Sequence, residues 1–242
     1  MDTHMDTVTE ALRQRILDGE FGTGGRLPPV RMLAKEHKAG PDLINKILQR
    51  LQAEGLLISR GRTGVFVNKP RPRAPGSLAM LYLYMDRQGL QTVDEIIEDF
   101  STVPAPEYVA DAMGMEKDAP VVHRLRRLGT PTVHYCLIES FYPALLVGES
   151  ILQEAHRDQQ YDLLTAIKET HGKNVIEVHE DVVGRFPTPR EQDLLEIVRG
   201  TPVQEVNRTY YAGDDKMVLL YSRDILVASY FVLSYDYAAP SS

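Results

Sequence analysis

Apolar residues recur at helical spacing in three segments near the start of the chain, and glycine or proline separates the segments. This period predicts three amphipathic helices. The first ends before Gly19. The second has Pro29 in its first turn, where the missing N–H costs nothing. The third begins at Pro41 and ends before Gly55. The apolar positions are Val8, Leu12, Ile16 and Leu17 in the first helix, Met32 and Leu33 in the second, and Ile44, Ile47, Leu48 and Leu51 in the third.

Two short apolar strands, residues 56–58 and 65–67, follow the third helix. The hairpin between them, residues 59–64, contains Arg60, Arg62 and two glycines. Three helices followed by a basic hairpin predict a winged helix-turn-helix. In such a unit the third helix can enter the major groove of DNA, and the wing can lie along the phosphates.

A proline-rich stretch, residues 68–77, interrupts the apolar pattern and predicts an extended linker. Beyond it, strand-like and helical patterns alternate, which predicts an α+β domain with an antiparallel sheet. Asp162 is placed to cap one helix, and Thr188 with Glu191 matches a capping box before another. The predicted strands are 121–128, 133–142, 175–185, 203–211, 217–226 and 230–237, and the predicted helices are 163–171 and 189–197. The predicted units are therefore a winged helix-turn-helix at 1–69, a linker at 70–77 and the larger domain at 78–242.

Charge is unevenly distributed along the chain, whose net charge is −7. Residues 1–70 contain 11 Lys and Arg against 8 Asp and Glu, whereas the remainder contains 16 against 26. A mildly basic unit joined to an acidic one indicates two domains with different partners. The chain has no apolar run long enough to span a bilayer, an N-terminus unlike a secretory signal, and a single cysteine, Cys136. We therefore expect a cytoplasmic protein without an internal disulfide and with no membrane partner.

The N-terminal segment resembles the GntR family of bacterial transcription regulators. Residues 25–34 (GRLPPVRMLA) match the family's turn, and residues 51–57 (LQAEGLL) with 64–67 (GVFV) match its helix-to-wing signature. The resemblance covers about residues 6–68 without a large gap. It implies a DNA-binding domain that recognises a double-stranded operator.

The positions that would read DNA depart in part from this family. Arg31 matches the family arginine of the second helix, but Gly40-Pro41 replaces the usual Ser-Arg and Asn45 replaces a later arginine. Asn45 is suited to adenine, and Lys46 to guanine or phosphate, so the operator should differ from the common half-site. The alternative for Lys35, Lys38, Lys46 and Arg50 is a solvated helix face. The candidate DNA-binding residues are Arg31, Asp42, Asn45, Lys46, Arg60, Arg62, Thr63 and Gly64.

The larger segment is similar to the UTRA ligand-sensing domain of the HutC subfamily of GntR regulators. The similarity rests on residues 122–131, 141–143, 161–172, 186–195 and 206–208, in the family's order. It implies a chorismate-lyase-like fold with a pocket for a small effector. Arg124 and Arg126 match strand arginines that hold anionic groups, and their spacing places both on one face. The alternative is that they pair with carboxylates of this acidic domain.

Asp162 changes the expected effector. It aligns with a position at a helix N-terminus where phosphate-binding members commonly have serine. The free N–H groups of such a terminus favour anions, but an aspartate satisfies them itself and repels phosphate. The sequence thus favours a carboxylate, amine-bearing or neutral effector over a phosphorylated sugar. Tyr230 matches a family aromatic near the pocket, with core packing as its alternative. The candidate ligand-binding residues are Arg124, Arg126, Asp162 and Tyr230.

These patterns predict an effector-responsive repressor that binds a near-palindromic operator as a homodimer, and not an enzyme. No catalytic residues, metal site or cofactor are predicted, because metal-ligand spacing, a nucleophile elbow and a phosphate loop are all missing. Cys136 is expected to be buried, and nothing in the spacing of Glu139 and Glu180 supports an acid–base pair. Two alternatives stay open: a constitutive DNA-binding protein of the plasmid-control type without a ligand, and a lyase-like enzyme on the C-terminal fold.

Overall fold

Three helices and a two-stranded wing form the N-terminal part of the protein in the computed structural model. The structure describes residues 2–22, 24–68, 73–75, 93–131, 133–158, 161–213 and 216–235. The N-terminal elements are α1 (Asp2–Leu17), α2 (Val30–Glu36), α3 (Pro41–Ala53), β1 (Leu57–Ser59) and β2 (Val65–Val67). The prediction of a winged helix-turn-helix is therefore confirmed.

The apolar faces of the three helices meet in one core that also takes in Leu27, Leu57 and Val67. Two predicted core residues, Leu17 and Met32, are instead 61% and 61% exposed. Helix α2 has only seven residues, and it buries Leu33 and Ala34. Met32 precedes Leu33 by about 100° around the helix axis, so its side chain faces solvent.

Two local details differ from the sequence prediction. Pro29 is the N-cap of α2 rather than part of its first turn, with an extended backbone (φ −54°, ψ 147°). Residues 25–27 also pair with the wing, because the amide of Leu27 donates to Val65 O (2.8 Å) and the amide of Val67 donates to Gly25 O (2.8 Å). The turn before α2 is thereby fixed to strand β2.

The larger domain is built on a six-stranded antiparallel sheet in the order β4-β5-β6-β9-β8-β7. Its strands are β4 (Val93–Pro104), β5 (Pro120–Thr130), β6 (Val133–Pro143), β7 (Val175–Arg185), β8 (Val203–Ala212) and β9 (Met217–Val227). Its helices are α4 (Glu107–Met113), α5 (Ala144–Arg157), α6 (Leu163–His171) and α7 (Pro189–Leu195). The predicted α+β class with an antiparallel sheet is confirmed.

Part of the predicted linker belongs to a strand pair. Residues Arg73–Pro75 form β3, which runs parallel to β10 (Val232–Ser234) in a separate two-stranded sheet. The final strand is therefore shorter than the predicted 230–237. The rest of the linker, apart from Asn68, lies outside the described residues. The pairing ties the start of the larger domain to its end.

Both faces of the large sheet are covered by helices. We call the face that carries Arg124 and Arg126 the arginine face. Helices α5 and α6 pack over one end of it, with Phe100, Val122 and Tyr142. Helices α4 and α7 pack over the opposite face, in two clusters around Phe141 and Leu137. The middle of the arginine face is left to polar residues.

Besides β3, the pattern did not predict three described elements of this domain: β4, α4 and α5. Strand β4 is an edge strand with mixed charged and apolar residues, and register shifts interrupt its pairing with β5. Helix α5 contains Gly148 in a non-helical conformation (φ 61°, ψ 170°), which breaks the helical period. Helix α7 ends at Leu195 and not at 197, because Glu196 adopts a left-handed conformation.

Candidate DNA-binding surface and effector cleft

Helix α3 separates a buried side from an exposed polar side. Ile44 and Ile47 are fully buried, whereas Asp42, Asn45 and Lys46 are exposed. Asn45 and Lys46 follow Asp42 by three and four positions, so both lie on the same face of the helix as Asp42. Gly40 caps α3 without a side-chain hydrogen bond, and Pro41 occupies its first turn. The structure thus brings together the three α3 residues predicted to contact DNA.

The basic residues near α3 fall into two groups. Arg31, in the first turn of α2, is exposed. Arg50, in contrast, donates to the carboxylate of Asp6 at 2.8 Å and lies 3.5 Å from that of Glu54. Arg50 therefore ties α3 to α1 by an ion pair at the surface.

The wing tip is a 3-10 turn at Gly61–Thr63. The Thr63 hydroxyl donates to the carbonyl of Arg60 (2.5 Å), and the Arg60 guanidinium lies 4.7 Å from the centre of the Phe66 ring. These contacts hold Arg60 against the wing, with its side chain exposed. The side chain of Arg62 lies outside the described residues.

Gly64 is needed for a close contact inside the wing domain. Its backbone lies in the left-handed region (φ +113°), and a Cβ there would stand 3.0 Å from Arg26 Nε. Glycine at this position therefore makes room for Arg26, in addition to any approach of DNA. Arg26 is exposed and beside the wing, but it was not among the residues predicted to bind DNA. The signal that could have identified it is its position inside the segment 25–34 that resembles the family's turn.

The effector candidates Arg124 and Arg126 lie in the middle of the arginine face, opposite Ser140 and Ile138 of β6. Arg124 is buried, and its guanidinium lies 4.4 Å from the centre of the Phe100 ring. Burial, with the neighbouring Arg126, lowers the pKa of Arg124. Arg126 donates to Asp94 Oδ2 at 2.8 Å. Arg126 thus has a carboxylate partner from its own domain.

Two further charged residues of this face, Arg208 and Asp224, were not among the residues predicted to bind a ligand. Arg208 of β8 donates to the carboxylates of Asp224 on β9 and Glu180 on β7. Asp224 is 0% exposed, and its Oδ1 makes no hydrogen bond to any other described residue. Burial raises the pKa of Asp224 to about 6, although Arg208 and Arg126 oppose the shift. Its Oδ1 is therefore an atom available to a hydrogen-bonding partner.

Asp162 caps helix α6 as predicted. Its side chain accepts from the amide of Leu164 (3.0 Å) and from the hydroxyl of Thr165 (2.7 Å). Tyr142 lies on the arginine face, beside Val122 and against the apolar residues of α6. Burial raises its pKa, Arg126 lowers it, and Asp162 raises it again. We call the arginine face, Tyr142 and the α6 cap together the effector cleft, as the candidate effector site.

Tyr230 lies elsewhere. Its ring packs on Tyr135 (centroids 4.9 Å apart), and it lines a cavity together with wing residues Leu57 and Ser59. Arg124 and Arg126 thus lie on the arginine face, Asp162 caps the helix α6 that packs on the same side of the sheet, and Tyr230 lies at the end of the sheet. This position accords with the packing alternative for the tyrosine.

The residues considered for catalysis are separated or buried. Glu139 and Glu180 lie on opposite faces of the sheet, since Glu180 pairs with Arg208 of the arginine face and Glu139 contacts Arg223 on the other. Cys136 is fully buried, as expected, and burial raises its thiol pKa. Within the part of the chain that the structure describes, no cluster of His, Cys, Asp or Glu is arranged to hold a metal ion. No helix among the described residues is long and apolar enough to cross a membrane.

Comparison with known proteins places both halves in described families. Residues 87–231, more than half of the chain, match the UTRA domain, and residues 5–67 match the bacterial regulatory proteins of the gntR family. The HTH-type transcriptional repressor PhnF of Mycolicibacterium smegmatis is 28% identical over 208 residues, which cover 86% of this chain and 82% of that protein. The repressor NagR of Bacillus subtilis is 26% identical over 206 residues, covering 84% and 82%.

A third relative is the histidine utilization repressor of Pseudomonas putida, 25% identical over 210 residues, covering 85% of this chain and 81% of that one. Among solved structures, PhnF from Mycobacterium smegmatis superposes with a TM-score of 0.60 at 24% identity, covering 96% and 99% of the two chains. That structure has the same fold. With an exposed polar face on α3, a wing, and a UTRA match over the effector cleft, the chain belongs to the GntR family as a DNA-binding transcription regulator with a UTRA effector domain.

Proposed function

We propose that the protein is a repressor that binds a near-palindromic DNA operator as a homodimer and responds to a small effector in the cleft of its UTRA domain. The observation that carries the DNA part is the exposed face of α3, with Asp42, Asn45 and Lys46, beside the wing. A helix of this kind can enter the major groove and present its first turns to base edges. Named relatives are transcriptional repressors, which supports the direction of regulation.

Two neighbouring substitutions on α3 test the DNA contact. A duplex is first selected from a random library by the wild-type protein. Asn45→Ala is expected to weaken binding to that duplex by about 1–3 kcal/mol, because a bidentate base contact is lost. The variant should also lose the preference for one base at one position of the duplex. Lys46→Ala is expected to weaken binding to all duplexes and to lower the salt slope by about 1, because a phosphate contact is lost.

Lys168→Ala is the matched control for charge. Lys168 is exposed on helix α6, in the other domain, and its removal changes the net charge by the same amount as Lys46→Ala. It should leave the affinity and the salt slope unchanged in the same fluorescence-anisotropy titrations. If Asn45→Ala and Lys46→Ala behave like Lys168→Ala, α3 does not read the duplex.

Strand β7 supports the homodimer. It is an edge strand of the large sheet and is 11 residues long. Val178, Val182 and Val183 are 46%, 41% and 50% exposed. Because neighbouring residues of a strand point to opposite faces, both faces of β7 lack cover. A long edge strand with exposed valines is a template for strand pairing, so we assign it to the β7 of a second copy, across a two-fold axis.

Val178→Lys is expected to convert the dimer to a monomer, because a charged edge side chain opposes strand pairing. Sedimentation equilibrium at about 100 µM, where a dimer with a micromolar Kd is mostly associated, should give the monomer mass of 27.3 kDa for this variant. Leu145→Lys is the control, since Leu145 is an apolar residue that is 85% exposed on helix α5. A wild-type monomer, or a dimeric Val178→Lys variant, would contradict the assignment.

The effector is expected to combine an anionic group with a hydrogen-bond donor. The anion would face Arg124 and Arg126, and the donor would face the buried Oδ1 of Asp224. Asp162 already occupies the α6 N-terminus, which disfavours a phosphate there. Isothermal titration with amino acids, carboxylates and phosphosugars tests this class. Micromolar binding of a phosphosugar would overturn it, and binding of no metabolite would favour a constitutive regulator.

A further inference from the structure

A cavity of about 210 Å³ lies on the face of the large sheet opposite to the arginine face, beside helix α7. Its floor is apolar and consists of the buried side chains of Leu125, Leu137 and Ile225. Leu137 pairs with Ile225 between β6 and β9, and Leu125 pairs with Glu139 between β5 and β6. Helix α7 supplies one wall through Leu194. The cavity can hold a small metabolite, since one water molecule needs only about 10–15 Å³.

A carboxylate and a guanidinium stand side by side above this floor. Glu139 and Arg223 are paired residues of β6 and β9, and Glu139 Oε2 lies 3.4 Å from Arg223 Nη1. A charge-assisted hydrogen bond between such groups is about 2.7–2.9 Å long. The two side chains are 18% and 24% exposed, and both line the cavity. The pair is therefore wider than a closed ion pair, and a ligand in the cavity can reach both groups.

The attachment of helix α7 to the sheet depends on a different arginine. Arg185 donates to both carboxylate oxygens of Glu191, at 2.7 Å each, and to the carboxylate of Glu205 at 2.6 Å. Arg223 contacts the same two carboxylates at the longer distances of 3.1 and 3.2 Å. Arg185 thus holds α7 in place, and Arg223 is the less tightly bound of the two guanidinium groups.

Glu139 carries the excess negative charge of this cluster. Its carboxylate contacts the ring of His123 at 3.1 Å and Arg223 at 3.4 Å. Three carboxylates face two guanidinium groups in the cluster, whose members are Glu139, Glu191, Glu205, Arg185 and Arg223. Because a charge that is partly removed from water is most stable beside an opposite charge, the excess favours a cationic group next to Glu139.

We propose that this cavity binds an aliphatic α-amino acid, at a site separate from the effector cleft. The ammonium group lies against Glu139, the carboxylate lies against Arg223, and the side chain covers the apolar floor. A simple amine offers no partner to Arg223, and a simple carboxylate adds a fourth negative charge to the cluster. A zwitterion with an apolar side chain matches all three parts of the cavity. Binding there requires neither the effector cleft nor DNA, so it goes beyond the proposed function.

A series of ligands tests this match on the full-length wild-type protein. L-Leucine is expected to bind with a Kd below about 1 mM in isothermal titration. 3-Methylbutylamine and 4-methylpentanoate keep its side chain but lack the carboxylate or the ammonium group, so each should bind at least about tenfold more weakly. Glycine should also bind at least about tenfold more weakly, because it covers none of the apolar floor. Equal binding of any of these three compounds, or no binding of leucine, valine or isoleucine, would overturn the proposal.

Substitutions on the two faces of the sheet locate the bound amino acid. Glu139→Gln keeps the size of the side chain and removes its charge, so it should weaken leucine binding at least about tenfold. Leu194→Phe fills part of the cavity without a change in charge and should also weaken binding. Arg126→Gln, in the effector cleft, is the control and should bind leucine as the wild type does. Circular dichroism checks that each variant is folded.

The outcomes distinguish the two sites. Weaker leucine binding in Glu139→Gln and Leu194→Phe, with normal binding in Arg126→Gln, supports the proposal. Loss of binding in Arg126→Gln, with normal binding in Glu139→Gln, would place the amino acid in the effector cleft and refute the second site. If leucine binds through Glu139 while the wild-type protein selects no duplex, the second site stands and the DNA-binding proposal fails.

Discussion

Replacing Asp224 by alanine is expected to lower the free energy of unfolding by about 3–5 kcal/mol, because it leaves the guanidinium of Arg208 buried with one carboxylate fewer. Arg208 is 4% exposed and Asp224 is 0% exposed, so water cannot replace the lost partner. Glu180, the other partner of Arg208, is half-buried on strand β7 and compensates only in part. Urea denaturation followed by circular dichroism measures the change.

The double variant Arg208→Met/Asp224→Leu is the control. Replacing both members of a buried ion pair by apolar residues of similar volume is often neutral or stabilising. The double variant should therefore be at least about 3 kcal/mol more stable than Asp224→Ala, by the same principle. It should also lose the effector response, since both polar groups are removed from the cleft. A single variant as stable as wild type would show that Asp224 does not hold Arg208.

Ile47→Ala and Ile167→Ala are expected to destabilise different parts of the chain. Both side chains are 0% exposed, Ile47 in the core of the winged domain and Ile167 in the core under helix α6. Each substitution should lower the free energy of unfolding of its domain by about 2–5 kcal/mol, because it removes buried methyl groups and leaves a cavity. Since the two cores share no residue, calorimetry should show two transitions. Ile47→Ala should lower the midpoint temperature of one transition, and Ile167→Ala should lower that of the other.

The two variants also separate the two functions. Ile47→Ala should weaken DNA binding at temperatures where its own domain is partly unfolded, while effector binding to the UTRA domain persists. Ile167→Ala should have the opposite effect. If each substitution shifts a single common transition by the same amount, the two domains unfold as one unit, and the proposed division of the chain is wrong.

The periodic patterns of the sequence were enough to predict most of the described helices and strands. The three helices of the winged domain, its wing and the Thr188 capping box are set by residues close in the chain, through apolar spacing and local hydrogen bonds. The same holds for Asp162, whose capping partners are two and three residues away. Strand β4 was not predicted because the charged residues of this edge strand obscure its alternation. Helix α5 was not predicted because the kink at Gly148 interrupts its helical period.

The sequence by itself therefore determined the class of both domains, the family and the separate candidate residues on α3 and β5. Only the tertiary structure decided which of them meet. Arg208 and Asp224 are 16 positions apart and come together because β8 pairs with β9, and Tyr230 leaves the effector cleft because the chain turns at the end of the sheet. Local pattern fixes which face a side chain takes, whereas strand order and register fix its neighbours across that face.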